Sequence, residues 1–139
     1  MPLEEVPNRH CGSCKCQFCG APSALFDRDP GLENHAYTFI HTDDIKARIG
    51  ELFGAQMQFD VIIGNPPYQL NVGVEKENYA VPLYHSFVSQ AKNLSPRFLT
   101  MVIPSRWFAG GRGLDEFRDE MLNDNRLRHI VDFPNAVDC

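Results

Sequence analysis

Hydrophobic and polar residues alternate along this chain with two different periods that follow one another in turn. Short apolar runs rich in β-branched and aromatic residues predict strands at residues 36–40, 59–63, 97–103 and 127–132. Between these runs, apolar residues recur three and four positions apart, which predicts helices at residues 43–53, 82–94 and 114–122. Strands that alternate with helices favour a parallel sheet with right-handed crossovers, so the pattern predicts an α/β fold.

The first part of the chain departs from this pattern. It shows little periodicity of either kind and contains the prolines Pro2, Pro7, Pro22 and Pro30. Prolines without periodicity are typical of loops. The sequence therefore predicts two parts, a cysteine-rich loop segment at residues 1–35 and an α/β unit at residues 36–139.

The strand predicted at residues 59–63 ends in an unusual turn. Residues 61–63 are all β-branched, as expected for a parallel strand that is covered on both faces. Gly64 then ends the strand. Two consecutive prolines, Pro66 and Pro67, fix the backbone and remove two N–H donors, so the groups around them are held without competing local hydrogen bonds.

The groups beside these prolines suit the binding of a planar amine. The Asn65 side-chain oxygen and the Pro66 carbonyl can accept hydrogen bonds from an NH2 group, while Tyr68 stacks on the ring that carries it. Accepting both hydrogens draws the nitrogen lone pair out of conjugation, so the amine can attack an electrophilic methyl group. A plain end of a strand, with Asn as turn former and proline as breaker, is the alternative interpretation.

The run Asn65-Pro66-Pro67-Tyr68 resembles motif IV of the N6-adenine DNA methyltransferases, which follows a strand of this kind. The resemblance implies that these four residues form the catalytic motif. It also implies that Tyr68 stacks on the target base.

Downstream segments extend the resemblance to about residues 37–139. Residues 98–108 and 113–122 look like the later core of adenine methyltransferases found in large restriction-modification proteins. The resemblance implies a partial Rossmann-like methyltransferase sheet, mostly parallel. It further implies methyl transfer from S-adenosylmethionine to N6 of an adenine that is flipped out of double-stranded DNA.

Two further site residues are implied by the same resemblance. Asp43 fits the acidic motif III at the end of a strand and is a candidate for cofactor binding. An N-cap pair for the next helix explains Asp43 and Asp44 equally well. Phe133 fits the aromatic residue of motif VIII that packs on the flipped base.

One element of the family is missing from the sequence. The family's cofactor site begins with a glycine-rich loop after the first strand, whereas the only glycine-rich run here, residues 110–113, follows a later strand. A flexible connection between a strand and a helix explains this run better. The family consists of enzymes, but we expect these residues alone to be inactive, as one piece of a longer protein.

Several alternatives share the same residues. Methyltransferases that act on a glutamine amide or on guanine N2 in RNA use the same motif, since both acceptors are planar amines; the segment 103–107 favours adenine. A non-catalytic fragment or interaction module, forming a homodimer through an exposed sheet edge, belongs to a different class. No histidine has a Ser or Cys partner at a recognisable spacing, so a hydrolase triad finds no support.

Composition limits the class of protein. The chain has 139 residues, 43% of them hydrophobic, and a formal net charge of −5, which opposes a stand-alone DNA binder. No apolar stretch approaches the ~20 residues of a membrane helix, and the start lacks a signal peptide, so we predict a cytoplasmic protein without membrane contact. Arginines cluster in the C-terminal third, at Arg97, Arg106, Arg112, Arg118, Arg126 and Arg128.

A cluster of cysteines with C-x2-C-x-C-x2-C spacing lies in the loop segment, at Cys11, Cys14, Cys16 and Cys19. Thiols are kept reduced in the cytosol, and zinc binds four thiolates tetrahedrally, so the cluster predicts a structural zinc site. A single residue between the two pairs strains a site made of all four thiolates. His10, His35 or a second chain replacing one thiol, iron–sulfur ligation, and non-specific metal capture are the alternatives.

Overall fold

A computed structural model describes residues 16, 18, 35–54, 57–71 and 80–133 of the chain. The chain divides into two compact units, Met1–Ile103 and Pro104–Cys139. The described elements follow in chain order: α1 (His35–Ile40), α2 (Ile45–Phe53), β1 (Val61–Gly64), β2 (Gln69–Asn71), β3 (Ala80–Pro82), α3 (Tyr84–Asn93), β4 (Phe98–Met101), a 3-10 helix (Ser105–Ala109) and α4 (Asp115–Asn123).

This mixture of helices and strands is an α/β fold, as predicted. The predicted domain boundary at residue 35 stays a prediction.

Strands β1 and β4 form the parallel pair that the sequence predicts. Their register runs from Val61 opposite Phe98 to Gly64 opposite Met101. The pairing continues past the last strand residue, because the Val102 N–H donates to the Gly64 carbonyl at 2.9 Å. This parallel ladder is the part of the predicted sheet that the described residues form.

Only one face of this pair is covered within the described residues. Ile62 packs against a buried cluster of Ile45, Ile49 and Leu94. On the opposite face, Ile63 is 78% exposed, and Val61 and Phe98 are also exposed. The prediction of a strand covered on both faces was wrong for this unit, because side chains of a strand alternate and no second layer lies over the other face in the described residues.

Helix α1 replaces the strand predicted at residues 36–40. An apolar run this short has no periodicity that separates a strand from a buried helical turn. Ile40 is buried in a cluster with Leu83 and Phe87, and the Phe39 ring stacks on the Phe87 ring. The segment therefore packs on α3 as a helix, and among the described residues it has no strand partner.

Helix α2 begins and ends where its sequence signals place it. The Asp44 carboxylate caps the first turn by accepting from the Ala47 N–H at 3.0 Å. Gly54 ends the helix in the left-handed conformation, with φ of 71°, and its N–H donates to the Gly50 carbonyl at 2.8 Å. The predicted helix is confirmed, although Phe53 is exposed and does not join the core.

Helix α3 carries the central apolar stripe of the first unit. All five residues predicted for it are buried: Tyr84, Phe87, Val88, Ala91 and Leu94. The helix begins at Tyr84 and not at Pro82, because Pro82 is the last residue of β3 and pairs with Gln69 in an antiparallel ladder with β2. This two-stranded ladder was not predicted.

The second unit is built around the 3-10 helix and α4. Trp107 is buried and meets the Phe117 ring edge to face, with ring centroids 5.9 Å apart, and Leu114 is fully buried. The strand predicted at residues 127–132 is wrong, because the described residues after α4 form no strand and Ile130 and Val131 are exposed. An apolar run becomes a strand only when a neighbouring strand satisfies its backbone groups.

The turn before α4 yields a test of the second unit. Gly110 has φ of 70°, and a Cβ added to it would lie 2.6 Å from Asp115 Oδ1, the atom that accepts from the Gly111 N–H at 2.8 Å. We expect Gly110→Ala to lower the free energy of unfolding by about 2–3 kcal/mol, because its φ of 70° with ψ of −163° is a conformation nearly restricted to glycine and because the carboxylate is displaced. Urea unfolding followed by fluorescence of Trp107, the single tryptophan, measures it.

Gly113→Ala is the matched control. Gly113 has φ of 79°, but a Cβ there meets no atom within 4 Å. This variant should therefore cost only the left-handed strain, about 1 kcal/mol. Equal losses in the two variants would contradict the role given to Asp115.

Candidate active site at the end of strand β1

The segment Asn65–Tyr68 leaves the sheet at the carboxyl end of β1 and is anchored at both ends. Before it, the Gly64 carbonyl accepts from Val102 in the β1–β4 ladder. After it, the Tyr68 carbonyl accepts from the Leu83 N–H at 3.0 Å, next to the β2–β3 ladder. Ligands of parallel sheets bind at the carboxyl ends of strands, so this segment lies at the position expected for a site.

Burial separates the residues of the segment into two roles. Pro66 is buried and Pro67 is half-buried, so the prolines face the protein. Asn65 is exposed and Tyr68 is 42% exposed. The rigid prolines therefore present an amide and an aromatic ring to solvent, the two groups that can hold a planar amine.

Gly64 has a steric reason to be glycine. A Cβ at this position would lie 2.7 Å from the Met101 Sδ on the neighbouring strand. Gly64 is the last paired residue of β1, so the strand ends there, as the sequence predicts. The close approach of Met101 holds the backbone that leads into Asn65.

The structure distinguishes Asp43 from Asp44, which the sequence alone does not. Asp44 is the N-cap of α2, whereas Asp43 is exposed and lies one residue before it. Asp43 follows helix α1 and not a strand, so the strand-end context of motif III is absent here. Its role in cofactor binding stays a prediction.

A long-range hydrogen bond fixes the backbone beside Asp43. The Gln90 side-chain amide, on α3, donates to the Thr42 carbonyl at 2.7 Å. The contact joins residues 48 positions apart, and no local pattern signals it. Gln90 is thus a positioning residue that inspection of the sequence misses.

The remaining predicted residues come from other parts of the chain. Phe133, in the second unit, is half-exposed, and its stacking role stays a prediction. Cys16 is buried, and its Sγ lies 3.8 Å from the His41 Nε2. No group of three or more metal-ligating side chains occurs in the described part of the chain. The predicted ligands outside that part are Cys11, Cys14 and Cys19.

Burial also affects a histidine on α3. It lowers the pKa of His85 below the 6.5 of an ordinary histidine, because the charged imidazole loses hydration. The His85 ring meets the Tyr84 ring edge to face, with centroids 6.1 Å apart. Burial and this ring contact indicate a structural role for His85.

Comparison with known proteins gives two matches. The model of the family described as Eco57I restriction-modification methylase matches residues 8–139. A protein of Mycoplasma pneumoniae named "Uncharacterized adenine-specific methylase" is 35% identical over 132 residues, which cover 91% of this chain and 31% of that protein. The chain thus spans about a third of the length of this relative. No solved structure matches.

The helices of the described residues include none with the length and apolar character needed to cross a membrane. This finding concerns the described residues alone.

The two aspartates before α2 allow a matched test of the cap. Asp44→Ala should lower the free energy of unfolding by about 1 kcal/mol, because the Ala47 N–H loses its acceptor. Asp43→Ala should change it by less than about 0.5 kcal/mol, since an exposed side chain outside the cap contributes little. Urea unfolding followed by far-UV circular dichroism distinguishes them; equal losses would contradict the assignment of the cap to Asp44.

His85 predicts a loss of stability in acid. Its pKa is lower in the folded than in the unfolded chain, so the unfolded chain binds the proton first as pH falls. The stability that the chain gains from keeping His85 neutral is fully present above about pH 6.5. It is lost as pH falls from that value toward the pKa of His85 in the folded chain. In urea unfolding at about pH 7.5 and about pH 5.5, His85→Gln should lose less stability on acidification than the unmodified chain.

The control for this measurement is His129→Gln, which removes an exposed histidine of the second unit. An acid sensitivity of His85→Gln that matches the unmodified chain would contradict the role of buried His85.

Proposed function

Because the chain belongs to the Eco57I restriction-modification methylase family, we propose that it forms part of the catalytic core of an adenine-specific DNA methyltransferase. The observation that carries the proposal is the position of the Asn65–Tyr68 segment, which is anchored on both sides at the carboxyl end of a parallel strand with the Asn65 and Tyr68 side chains exposed. The name of the Mycoplasma pneumoniae relative supports adenine as the acceptor. Since the chain spans only 31% of that relative, the activity is proposed for the whole protein.

In this proposal, Asn65–Tyr68 holds the exocyclic amine of the base. The Asn65 Oδ1 and the Pro66 carbonyl accept its two hydrogens, and the Tyr68 ring stacks on the purine. Both acceptors tilt the nitrogen lone pair away from the ring and toward the methyl donor. Because the prolines hold these groups before the base arrives, little reorganisation is needed when charge develops on the nitrogen.

S-adenosylmethionine is the methyl donor that the family implies, and it supplies an electrophilic methyl carbon. The described residues fit such a cofactor in part. The carboxyl end of β1 is the correct edge of the sheet, and the exposed Asp43 offers a carboxylate for a ribose hydroxyl. The sequence before β1 contains no glycine-rich run of the kind the family uses, so we propose that residues outside these 139 complete the cofactor site.

Double-stranded DNA with a flipped adenine is the proposed substrate. The net charge of −5 means that most phosphate contacts must come from elsewhere in the protein. Within the second unit, Arg126 is bound by the Asp124 carboxylate, and Arg118 donates to the Phe108 carbonyl. The exposed Arg106, Arg112 and Arg128 are therefore the better candidates for phosphate contacts in this unit.

Asn65→Ala in the full-length protein tests the proposal. We expect methyl transfer to double-stranded DNA to fall by about 10²–10³-fold, the usual loss when one preorganised polar group is removed. Stability should change by less than about 0.5 kcal/mol, because the side chain is exposed. Transfer of labelled methyl from S-adenosylmethionine measures the rate, and mass spectrometry of the digested DNA identifies the methylated nucleoside.

Two further variants make the outcome specific. Asn123→Ala removes an exposed asparagine on α4 and should leave transfer unchanged. Asn65→Asp keeps an acceptor oxygen and should retain more activity than Asn65→Ala. Persistence of full transfer in Asn65→Ala would refute the site, while methylation of glutamine or of guanine N2, with adenine unmodified, would refute adenine as the acceptor.

A further inference from the structure

The backbone freedom of the chain that leads into the motif is concentrated at Gly64. Pro66 and Pro67 have φ fixed by their rings, and Asn65 is restricted to extended conformations because it precedes a proline. Gly64 has no Cβ, so it is the one residue from 64 to 67 whose type leaves both backbone angles free. The direction in which the Asn65 side chain leaves the sheet therefore depends on how Gly64 is held.

Two contacts from strand β4 hold Gly64. Its carbonyl accepts from the Val102 N–H at 2.9 Å, which fixes the peptide plane between Gly64 and Asn65. Met101, its partner in the parallel register, packs against its Cα, because a Cβ at Gly64 would lie 2.7 Å from the Met101 Sδ and 3.2 Å from its Cε. The thioether thus occupies the volume that a side chain at residue 64 would need.

Met101 differs from the core residues of the first unit. Its pairing with Gly64 places it on the same face of the sheet as Ile62, the face that packs on the helices. However, Met101 is only half-buried and is not one of the buried core residues. An unbranched, polarisable side chain adapts well to an irregular surface such as a bare backbone. Its contact with Gly64 is therefore a local one, at the end of the strand beside the motif.

We propose that Met101 is a positioning residue for methyl transfer, because its thioether restricts the backbone of Gly64 and so fixes the Asn65 Oδ1 and the Pro66 carbonyl. This inference rests on the proposed function, in which these two oxygens accept the hydrogens of the target amine. Met101 acts only through Gly64. Without the thioether, Gly64 regains its freedom, and the two acceptors spread over a range of positions before the amine arrives.

A positioning role predicts an effect on the chemical step in the full-length protein. Misplacement of a reacting group by about 1 Å can cost about 10²-fold in rate. We expect Met101→Ala to lower kcat by about 10–100-fold and to leave the KM values for S-adenosylmethionine and DNA nearly unchanged. Met101→Leu conserves the side-chain volume and should retain most of kcat. A kcat of Met101→Ala equal to that of the unmodified protein would overturn the proposal.

Leu99→Ala is the matched control. Leu99 is half-buried on the same face of β4, but it pairs with Ile62 and not with Gly64. This variant should lower the urea midpoint of unfolding and leave kcat unchanged. Equal losses of kcat in Leu99→Ala and Met101→Ala would contradict a role of the thioether at Gly64, since any weakening of the strand would then suffice.

A double variant tests whether the two residues act through one contact. The Cβ of Gly64→Ala displaces the thioether, so this change removes the same packing as Met101→Ala does. The loss of kcat in Gly64→Ala/Met101→Ala should therefore be smaller than the product of the two single losses, because changes to one shared contact are not additive. Losses that multiply would show that the two residues act independently and would overturn the proposal.

Amide hydrogen exchange distinguishes failure of this inference from failure of the proposed function. In the full-length protein, followed by mass spectrometry, Met101→Ala should speed exchange several-fold in the peptide that contains Asn65 and Tyr68, whereas Leu99→Ala should not. This measurement requires no methyl transfer. Unchanged exchange in Met101→Ala would overturn the restriction of Gly64 even if Asn65→Ala abolishes transfer, and faster exchange would support it even if adenine is not the acceptor.

Discussion

The parallel pairing of β1 with β4 is the constraint on which the candidate site depends. Its hydrogen bonds extend from the Phe98 N–H on the Asp60 carbonyl to the Val102 N–H on the Gly64 carbonyl, both at 2.9 Å. Because the ladder ends at Gly64, the chain leaves the sheet at the next residue, which is Asn65. Strands this short are weak alone, so their stability comes from the one face that packs on the helices. The packing of half-buried Ile62 against the cluster of Ile45, Ile49 and Leu94 thus supports the exposed side chains at the end of the strand.

Polar contacts add a second constraint that the apolar core does not supply. Asp44 caps α2, and Gln90 holds the preceding carbonyl of Thr42 from α3. The cap satisfies the Ala47 N–H, which the start of α2 would otherwise leave unpaired, and the Gln90 amide satisfies the carbonyl of Thr42 just before the helix. The cap and the Gln90 amide therefore fix the position of Asp43. The packing of α1 on α3 only brings the residues between α1 and α2 close to α3.

The sequence predicted the elements whose structure depends on residues that are close together in the chain. The periodic stripes of α2, α3 and α4 and the capping residues around α2 are visible in the sequence, as is the Asn65–Tyr68 motif after its strand. Partner-dependent features were harder. Residues 36–40 form a helix because they pack on α3, and residues 127–132 form no strand because the described residues offer them no neighbour. The β2–β3 ladder was not predicted, because strands of three residues are too short to show a periodic pattern. The contacts of Gln90 and His41 were not predicted either, because they join residues that are distant in the sequence.

The ladder between β2 and β3 also determines how the motif is held on its far side. Leu70 pairs with Val81, and the Leu83 N–H donates to the Tyr68 carbonyl. Backbone hydrogen bonds therefore fix the chain on both sides of the Asn65–Tyr68 segment. The side chains of Asn65 and Tyr68 can thus be exchanged to change which planar group is bound, while the backbone that carries them stays in place.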